Sequence, residues 1–464
     1  MRGETRERGR RRAYNVSWDG MEEVYGADES GEREVRVEAS ALGYAGALLL
    51  NVALGTLFCW SFYLVPLEAH LGVGRAMLSS VFSLSTIATV AAMSFAGPVL
   101  YAKWAPTRLA VASSLIAACG LWIAALAVPL RAVWPLFLGY GLMFGFASGL
   151  GYGLSVQMSS YAPLKSGLAT GLVTSARAFG ALIFAPLVKA AIVAHGPQFA
   201  IHQLGTSVAA SAIPIFLLFN GSGLKYPLAR RRSTSSVTLA EMERDIKLKP
   251  LVRLLWLCMA SGLFSGLMVM SHGATLLSSR GISSSIVIGG ISIVSAMTTI
   301  GRILGGWICD RVPPKRVLVC TPLLAVGPLI WAALDKKSIL AGKLSLAAAG
   351  LVYGMFASTI PVEVRRVAGA GDFARTYGRI FTAWGLAGLV APYLAGMFYD
   401  RYGDYAFALI VAAVLSVTSA VLAQSLESPR DAVREQLISE TSRAETIARL
   451  GGRFIDCTRT EETN

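Results

Sequence analysis

The feature that most limits what this chain can fold into is a repeated alternation. Apolar stretches of about 20 residues follow one another, separated by short polar breaks that are often basic. An α-helix of that length crosses a hydrocarbon core, and in lipid only helices and closed barrels satisfy their own backbone polar groups. Twelve stretches can be drawn. Spans one to six lie near 43–67, 77–100, 109–129, 133–158, 167–193 and 204–220. Spans seven to twelve lie near 252–276, 286–309, 317–334, 343–362, 376–398 and 405–425. Only 15% of the residues are charged, against about 25% in a soluble domain. The 47 glycines suit helices that approach closely in lipid. The expected class is an all-α membrane protein of twelve transmembrane helices.

The breaks divide the chain. Residues 1–40 form a polar tail, arginine-rich at Arg8, Arg10, Arg11 and Arg12 and then acidic. No apolar core follows the basic cluster, and the acids are foreign to transit peptides. A solvated cytoplasmic tail is therefore expected. Residues 41–220 hold six spans, 221–251 a basic linker with Arg230-Arg231-Arg232, 252–426 six more spans, and 427–464 a second polar tail. The mixed-charge piece from Glu241 to Lys249 could form a surface helix. Lys and Arg concentrate in alternate breaks, which places both termini in the cytoplasm of a plasma or inner membrane. The pair Lys336-Lys337 runs against that bias. A net charge of +14 is thus assigned to topology rather than to nucleic acid.

The two halves repeat one another. Gly97 to Lys103 matches Gly305 to Arg311 at an offset of 208, and each is followed by a proline and a basic residue. Tyr140-Gly141 and Phe146-Ala147-Ser148 recur as Tyr353-Gly354 and Phe356-Ala357-Ser358, and Ala185-Pro186 recurs as Ala391-Pro392. Two six-helix bundles related by pseudo-symmetry, rocking about a central site, are the expected architecture.

Within that frame one residue stands out. Arg302 lies inside span eight, ~12 Å deeper than Asp310 by helix rise. A cation at such depth is costly and normally faces a cavity that serves a pathway. Arg302 is expected to meet a small anion.

Several stretches resemble the major facilitator superfamily, and within it the oxalate/formate antiporter-like and monocarboxylate-porter-like branch. They are Leu54 to Leu67 in span one, Gly167 to Gly171 at the entry of span five, Gly301-Arg302 through Asp310-Arg311 in span eight, and Ile380 to Gly388 with Ala391-Pro392 in span eleven. The resemblance implies transport of a small organic carboxylate, driven by a proton or a counter-anion. It also implies that the arginine of span eight, here Arg302, binds the carboxylate. Three positions depart from the pattern. Trp384 stands where the oxalate carriers have a lysine, which weakens the match to oxalate itself. Thr298 stands where many proton-coupled carriers have an acid, and Ala102 replaces the signature acid after span two.

A guanidinium can grip a carboxylate through two parallel hydrogen bonds, which lysine cannot. A second arginine, Arg177, lies about ten residues into span five, ~15 Å from its end. The Ala-Pro repeat aligns it with Ala383, beside Trp384. The second cation has thus moved to the pseudo-symmetric half, where it can share one anion with Arg302; a structural arginine is the competing reading for both. Trp384, Tyr63, Trp60, Tyr353, Tyr140 and Tyr152 are candidates to wall the site, with ordinary packing as the alternative for each. His272 and Glu68 are candidates for proton coupling. Asp310 and Arg311 are candidates for a gate that locks helix ends.

No catalytic constellation, phosphate loop, metal cluster or nucleic-acid module appears, so an enzyme is not expected, nor a cofactor. The six cysteines lack metal spacing and are expected as free thiols. The expected function is secondary active transport of a small mono- or dicarboxylate by alternating access, as anion exchange or proton symport. The expected partners are that solute, a proton or counter-anion, and the lipid bilayer around a monomer. Two other readings stay open on the sequence: a transporter-fold metabolite sensor, and a carrier of an inorganic anion or small zwitterion.

Overall fold

The computed structural model describes residues 30–223, 239–280 and 284–426. The arginine-rich start, Arg230-Arg231-Arg232, Cys457 and the tail beyond residue 426 lie outside the described residues. Among the described residues every element is helical. Nine helices among the described residues are long and apolar enough to cross a membrane. One of them, Ser166–Gly221, breaks at Gly196, whose φ of 85° only glycine adopts without strain, and Pro197 then opens the next helix. It supplies spans five and six. Span four winds as a π-helix over Leu136–Phe144 and an α-helix over Gly145–Met158. Span eight is the end of Ser284–Cys309. With these, the twelve expected crossings are present.

Helix lengths differ from the apolar stretches, because a helix continues past the hydrocarbon wherever its backbone bonds can be kept. Spans ten and eleven were expected to end and begin at 362 and 376. Instead Ile339–Gly369 and Gly371–Tyr402 meet at a single break, Gly369, with φ 72°. Arg365 and Arg366, expected in a loop, therefore sit on the last turn of span ten. The piece from Glu241 to Lys249 is not a separate surface helix. It belongs to one helix, Leu239–Ser278, that continues into span seven.

The buried side chains gather into two large clusters. One, around Leu54, Tyr63, Leu121 and Phe144, is built from the first six spans, with Ala374 added. The other, around Leu263, Leu329, Phe356 and Ile380, is built mainly from the last six. Tyr44, Met93, Tyr152, Val156, Ala169 and Val173 of the first half pack into the second cluster and mark the seam between them.

At one end the seam is tightly joined. A Cβ on Gly167 would strike the carbonyl oxygen of Gly306, and one on Gly306 that of Gly167, so these two backbones touch only because both lack side chains. Asp310 accepts hydrogen bonds from the backbone N–H of Gly167 (2.7 Å) and of Leu168 (2.8 Å). Those groups are orphan donors at the first turn of Ser166–Gly221. Ser94 Oγ donates to the carbonyl of Gly378 at 2.6 Å. At the other end, Lys336 pairs with Asp404 at 2.5 Å, and Arg280 donates to the carbonyls of Ala332, Asp335 and Ser338 at the close of span nine. The lysine that runs against the charge bias is thus partnered by an acid. Cys59, Cys119, Cys258, Cys309 and Cys320 are free thiols.

Candidate functional site

The two arginines that the sequence places inside the spans arrive at one compact cavity of about 40 Å³ on the seam. By the usual ~10–15 Å³ for a first water position, this holds a few waters or a small ion. Arg177 comes from span five and is 6% exposed; Arg302 comes from span eight and is 7% exposed. Arg177 donates through Nη2 to Ser148 Oγ at 2.6 Å and lies over the Tyr152 ring, 5.2 Å from its centroid. Arg302 donates through Nη1 to the carbonyl oxygen of Thr174 and lies 5.9 Å from the Tyr353 ring centroid. Among the described residues that line the cavity, none is acidic. Two guanidiniums in a dry space repel unless an anion lies between them.

Aromatic side chains form the remaining wall. Tyr377, Phe381 and Trp384 recur at helical spacing on one face of span eleven. Phe381 stacks on Trp384 at 5.1 Å, and Trp384 Nε1 donates to Tyr353 Oη at 3.0 Å. Tyr353 and Trp384, both singled out by sequence, therefore stand together in the lining. Tyr152, also singled out by sequence, joins them, as do Tyr377 and Phe381, which were not chosen as candidates. The spacing of Tyr377, Phe381 and Trp384 is the signal that would have found both.

Trp60, Tyr63 and Tyr140 are elsewhere. They pack inside the first bundle, with Trp60 and Tyr140 rings 4.4 Å apart and Tyr140 Oη donating to Leu57 at 2.7 Å. None of the three lines the cavity. His272 sits within the second bundle, Nε2 at 3.0 Å from the carbonyl of Pro392 and Nδ1 at 3.3 Å from Tyr405 Oη. Glu68 is half-buried at the far end of span one, one turn before Gly72. Asp310 caps span five, as described, while Arg311 turns outward, donates to Trp307 and lies 3.7 Å from that ring.

A further cation lies at the joined end. Arg365 is held by neutral groups of spans four and five: Ser166 Oγ at 2.6 Å, Ser159 Oγ at 2.9 Å and the Val156 carbonyl at 3.0 Å. In the sequence it is one of two adjacent arginines beyond an apolar run, and nothing there separates it from Arg366, which pairs with Glu363 at 2.7 Å.

Twelve helices in two bundles, with a cation-lined cavity on the seam between them, define a multi-pass membrane transporter. The Major Facilitator Superfamily model matches residues 45–368, and the chain belongs to that family. It is 21% identical over 385 residues to the oxalate:formate antiporter of Oxalobacter formigenes, covering 81% of this chain and 88% of that protein. It is 24% identical over 339 residues to monocarboxylate transporter 12 of Xenopus laevis, covering 67% and 72%. The Escherichia coli fucose:proton symporter FucP shares the fold, with a TM-score of 0.63, 16% identity, and coverage of 84% of this chain and all of that one.

Proposed function

We propose that the protein carries a small organic carboxylate across its membrane by alternating access, as anion exchange or proton symport. One observation carries this reading: Arg302, buried about two turns inside span eight, lines a cavity that Arg177 also lines and that no described acidic residue lines. The two fixed positive groups make the space selective for an anion. The planar forks suit a carboxylate, and the aromatic wall of Tyr353 and Trp384 gives a compact solute an apolar side and phenolic donors. The names of the antiporter and monocarboxylate relatives support the same class.

The moving parts in this reading are residues 41–220 and 252–426, joined by the linker 221–251. Both termini lie in the cytoplasm, on the side of the basic loops. Asp310 and Arg365 then close the cytoplasmic end, leaving the site to be reached from outside. His272 and Glu68 lie away from the cavity, which favours exchange over a side-chain proton relay.

The experiment is uptake of labelled formate and acetate into vesicles containing purified protein, preloaded with buffer or with unlabelled carboxylate. Counterflow that depends on internal carboxylate, and that falls at least tenfold in Arg302→Lys, is the expected result. Uptake of nitrate or a neutral amino acid in place of every carboxylate would overturn the assignment.

A further inference from the structure

Spans five and eight touch along part of their length and then diverge. Near the joined end, a Cβ on Gly171 would strike the carbonyl oxygen of Arg302. Farther along, Ser175 Oγ donates to the carbonyl of Thr299 at 3.4 Å. Beyond that bond a crevice of about 610 Å³ separates Ala178 to Ala185 on span five from Ser295 to Ile300 on span eight. That volume falls within the ~300–1,000 Å³ typical of small-molecule sites.

Depth and walls decide what fills it. Ala185 lies 11 residues before the break at Gly196, ~16 Å by helix rise, so the crevice sits at hydrocarbon depth. Phe62, Phe179, Leu182, Met270 and alanines supply most of its surface. The Thr299 hydroxyl is spent on the Ser295 carbonyl of its own helix. At the floor, Arg302 is bonded to Thr174 and Tyr353 to Trp384. Leu182, Ile183 and Leu187 on one rim and Ile300 and Leu304 on the other are exposed. A space walled this way holds little water, and its rims face the membrane. Hydrocarbon is the material at hand to fill it.

The mouth carries a charge. Lys189 is exposed and stands one turn beyond Ala185, in line with the lining stripe Ala178, Leu182 and Ala185. Helical side chains lean toward the N-terminus, which for span five is the joined end, so the lysine stem leans back over the mouth. Among the described residues Lys189 has no acidic partner. It lies seven residues before Gly196, ~10 Å by rise, where a lysine can reach the headgroup level.

We infer that the crevice is a binding site for an anionic phospholipid of the surrounding bilayer. One acyl chain lies between spans five and eight, and the phosphate meets Lys189. The chain acts as a wedge. Rocking that brings these two helices together at this end has to expel it, so the lipid favours the conformation described here. This goes beyond the carboxylate reading and does not depend on it.

The test is photolabelling of the purified full-length protein in phosphatidylcholine vesicles. The probe is a trace of phosphatidylglycerol with a diazirine at the end of one acyl chain. Adducts on the crevice walls should exceed those on Val414 and Val421, exposed residues of span twelve that report bulk lipid. Ala185→Phe and Ala296→Phe, which fill the crevice from opposite walls, should each abolish the excess and leave the span-twelve adducts unchanged. Those unchanged adducts show that the variant is folded. Lys189→Gln should lower crevice labelling about fivefold, and Lys189→Arg should restore it.

Crevice labelling no higher than that of span twelve would overturn the site. So would an excess that survives both fillings. Equal labelling by a diacylglycerol probe with the same chain, or no change in Lys189→Gln, would overturn the anionic phospholipid as its occupant.

Discussion

The guanidinium of Arg302, on span eight, donates a hydrogen bond to the backbone carbonyl of Thr174, on span five. Thr174 is three residues before Arg177, so it shares a face of the same helix with that arginine. One contact across the seam therefore brings the two cations to the same cavity, and it exists only while the bundles are packed as they are here. The position of Arg302 is coupled to the conformation of the transporter.

Arg302→Lys should accordingly damage both roles. Lysine presents a point charge without the planar fork, and hydrogen bonds to charged groups contribute about 1.5–3 kcal/mol. A rise of at least tenfold in KM for the carboxylate is the expected outcome, measured by initial rates of exchange. Arg177→Gln should cost less, because Ser148 already holds that side chain at 2.6 Å and glutamine keeps donors in the cavity. Equal losses in the two variants would show that both guanidiniums grip the solute directly.

Asp310 ties span eight to the first turn of span five through two backbone N–H groups. The carboxylate also meets the positive end of that helix. Asp310→Asn keeps one acceptor and loses the charge, at a cost of about 1–2 kcal/mol to the joined state. The ratio of joined to separated ends should fall by roughly 5–30-fold. Spin labels at Lys103 and Lys315 would read this as a growing population at longer distance. An unchanged distance distribution would mean that the glycine contact between Gly167 and Gly306 holds that end without help.

Much of this was legible in the chain because lipid leaves few choices. Lengths of apolar sequence fix the number of crossings, and an arginine far inside one of them has to face a cavity, which is how Arg302 and Arg177 were found. What hydropathy does not carry is the direction of a side chain around a helix that is apolar on every side. Trp60, Tyr63 and Tyr140 lie in motifs as suggestive as those of Tyr353 and Trp384, yet they turn into their own bundle. Helix ends were equally hidden. Arg365 falls just past the apolar run of span ten, so it read as a loop charge until the helix was seen to continue to Gly369.

Outside the membrane, Lys336 holds the Asp404 carboxyl below the usual carboxylate range, chiefly through their hydrogen bond. A carboxyl whose folded pKa is depressed adds stability above its unfolded value, near 3.9, and that contribution is lost as pH falls through the lower folded value. The pair is largely solvated, so its worth is at most about 1 kcal/mol. Lys336→Gln should therefore lower the melting temperature slightly at pH 7, and the difference from wild type should shrink as pH falls below the usual carboxylate range. A difference that persists in acid would place the effect of Lys336 in packing rather than in its charge.

Arg365 offers a different kind of closure from Asp310. Its partners are hydroxyls and a carbonyl of spans four and five, and Phe373 lies beneath it at 4.9 Å from the ring centroid. Salt screens exposed charge pairs, but it has little purchase on a buried guanidinium bonded to neutral acceptors. Arg365→Met removes the donors and keeps the apolar stem, leaving Ser159 and Ser166 to bond elsewhere. The joined end should open in this variant to an extent that is the same at low and high ionic strength, as read by the same spin-label pair. The wild-type distances should also be nearly salt-independent. Opening of the wild type on addition of salt would show instead that exposed ion pairs, and not Arg365, hold that end shut.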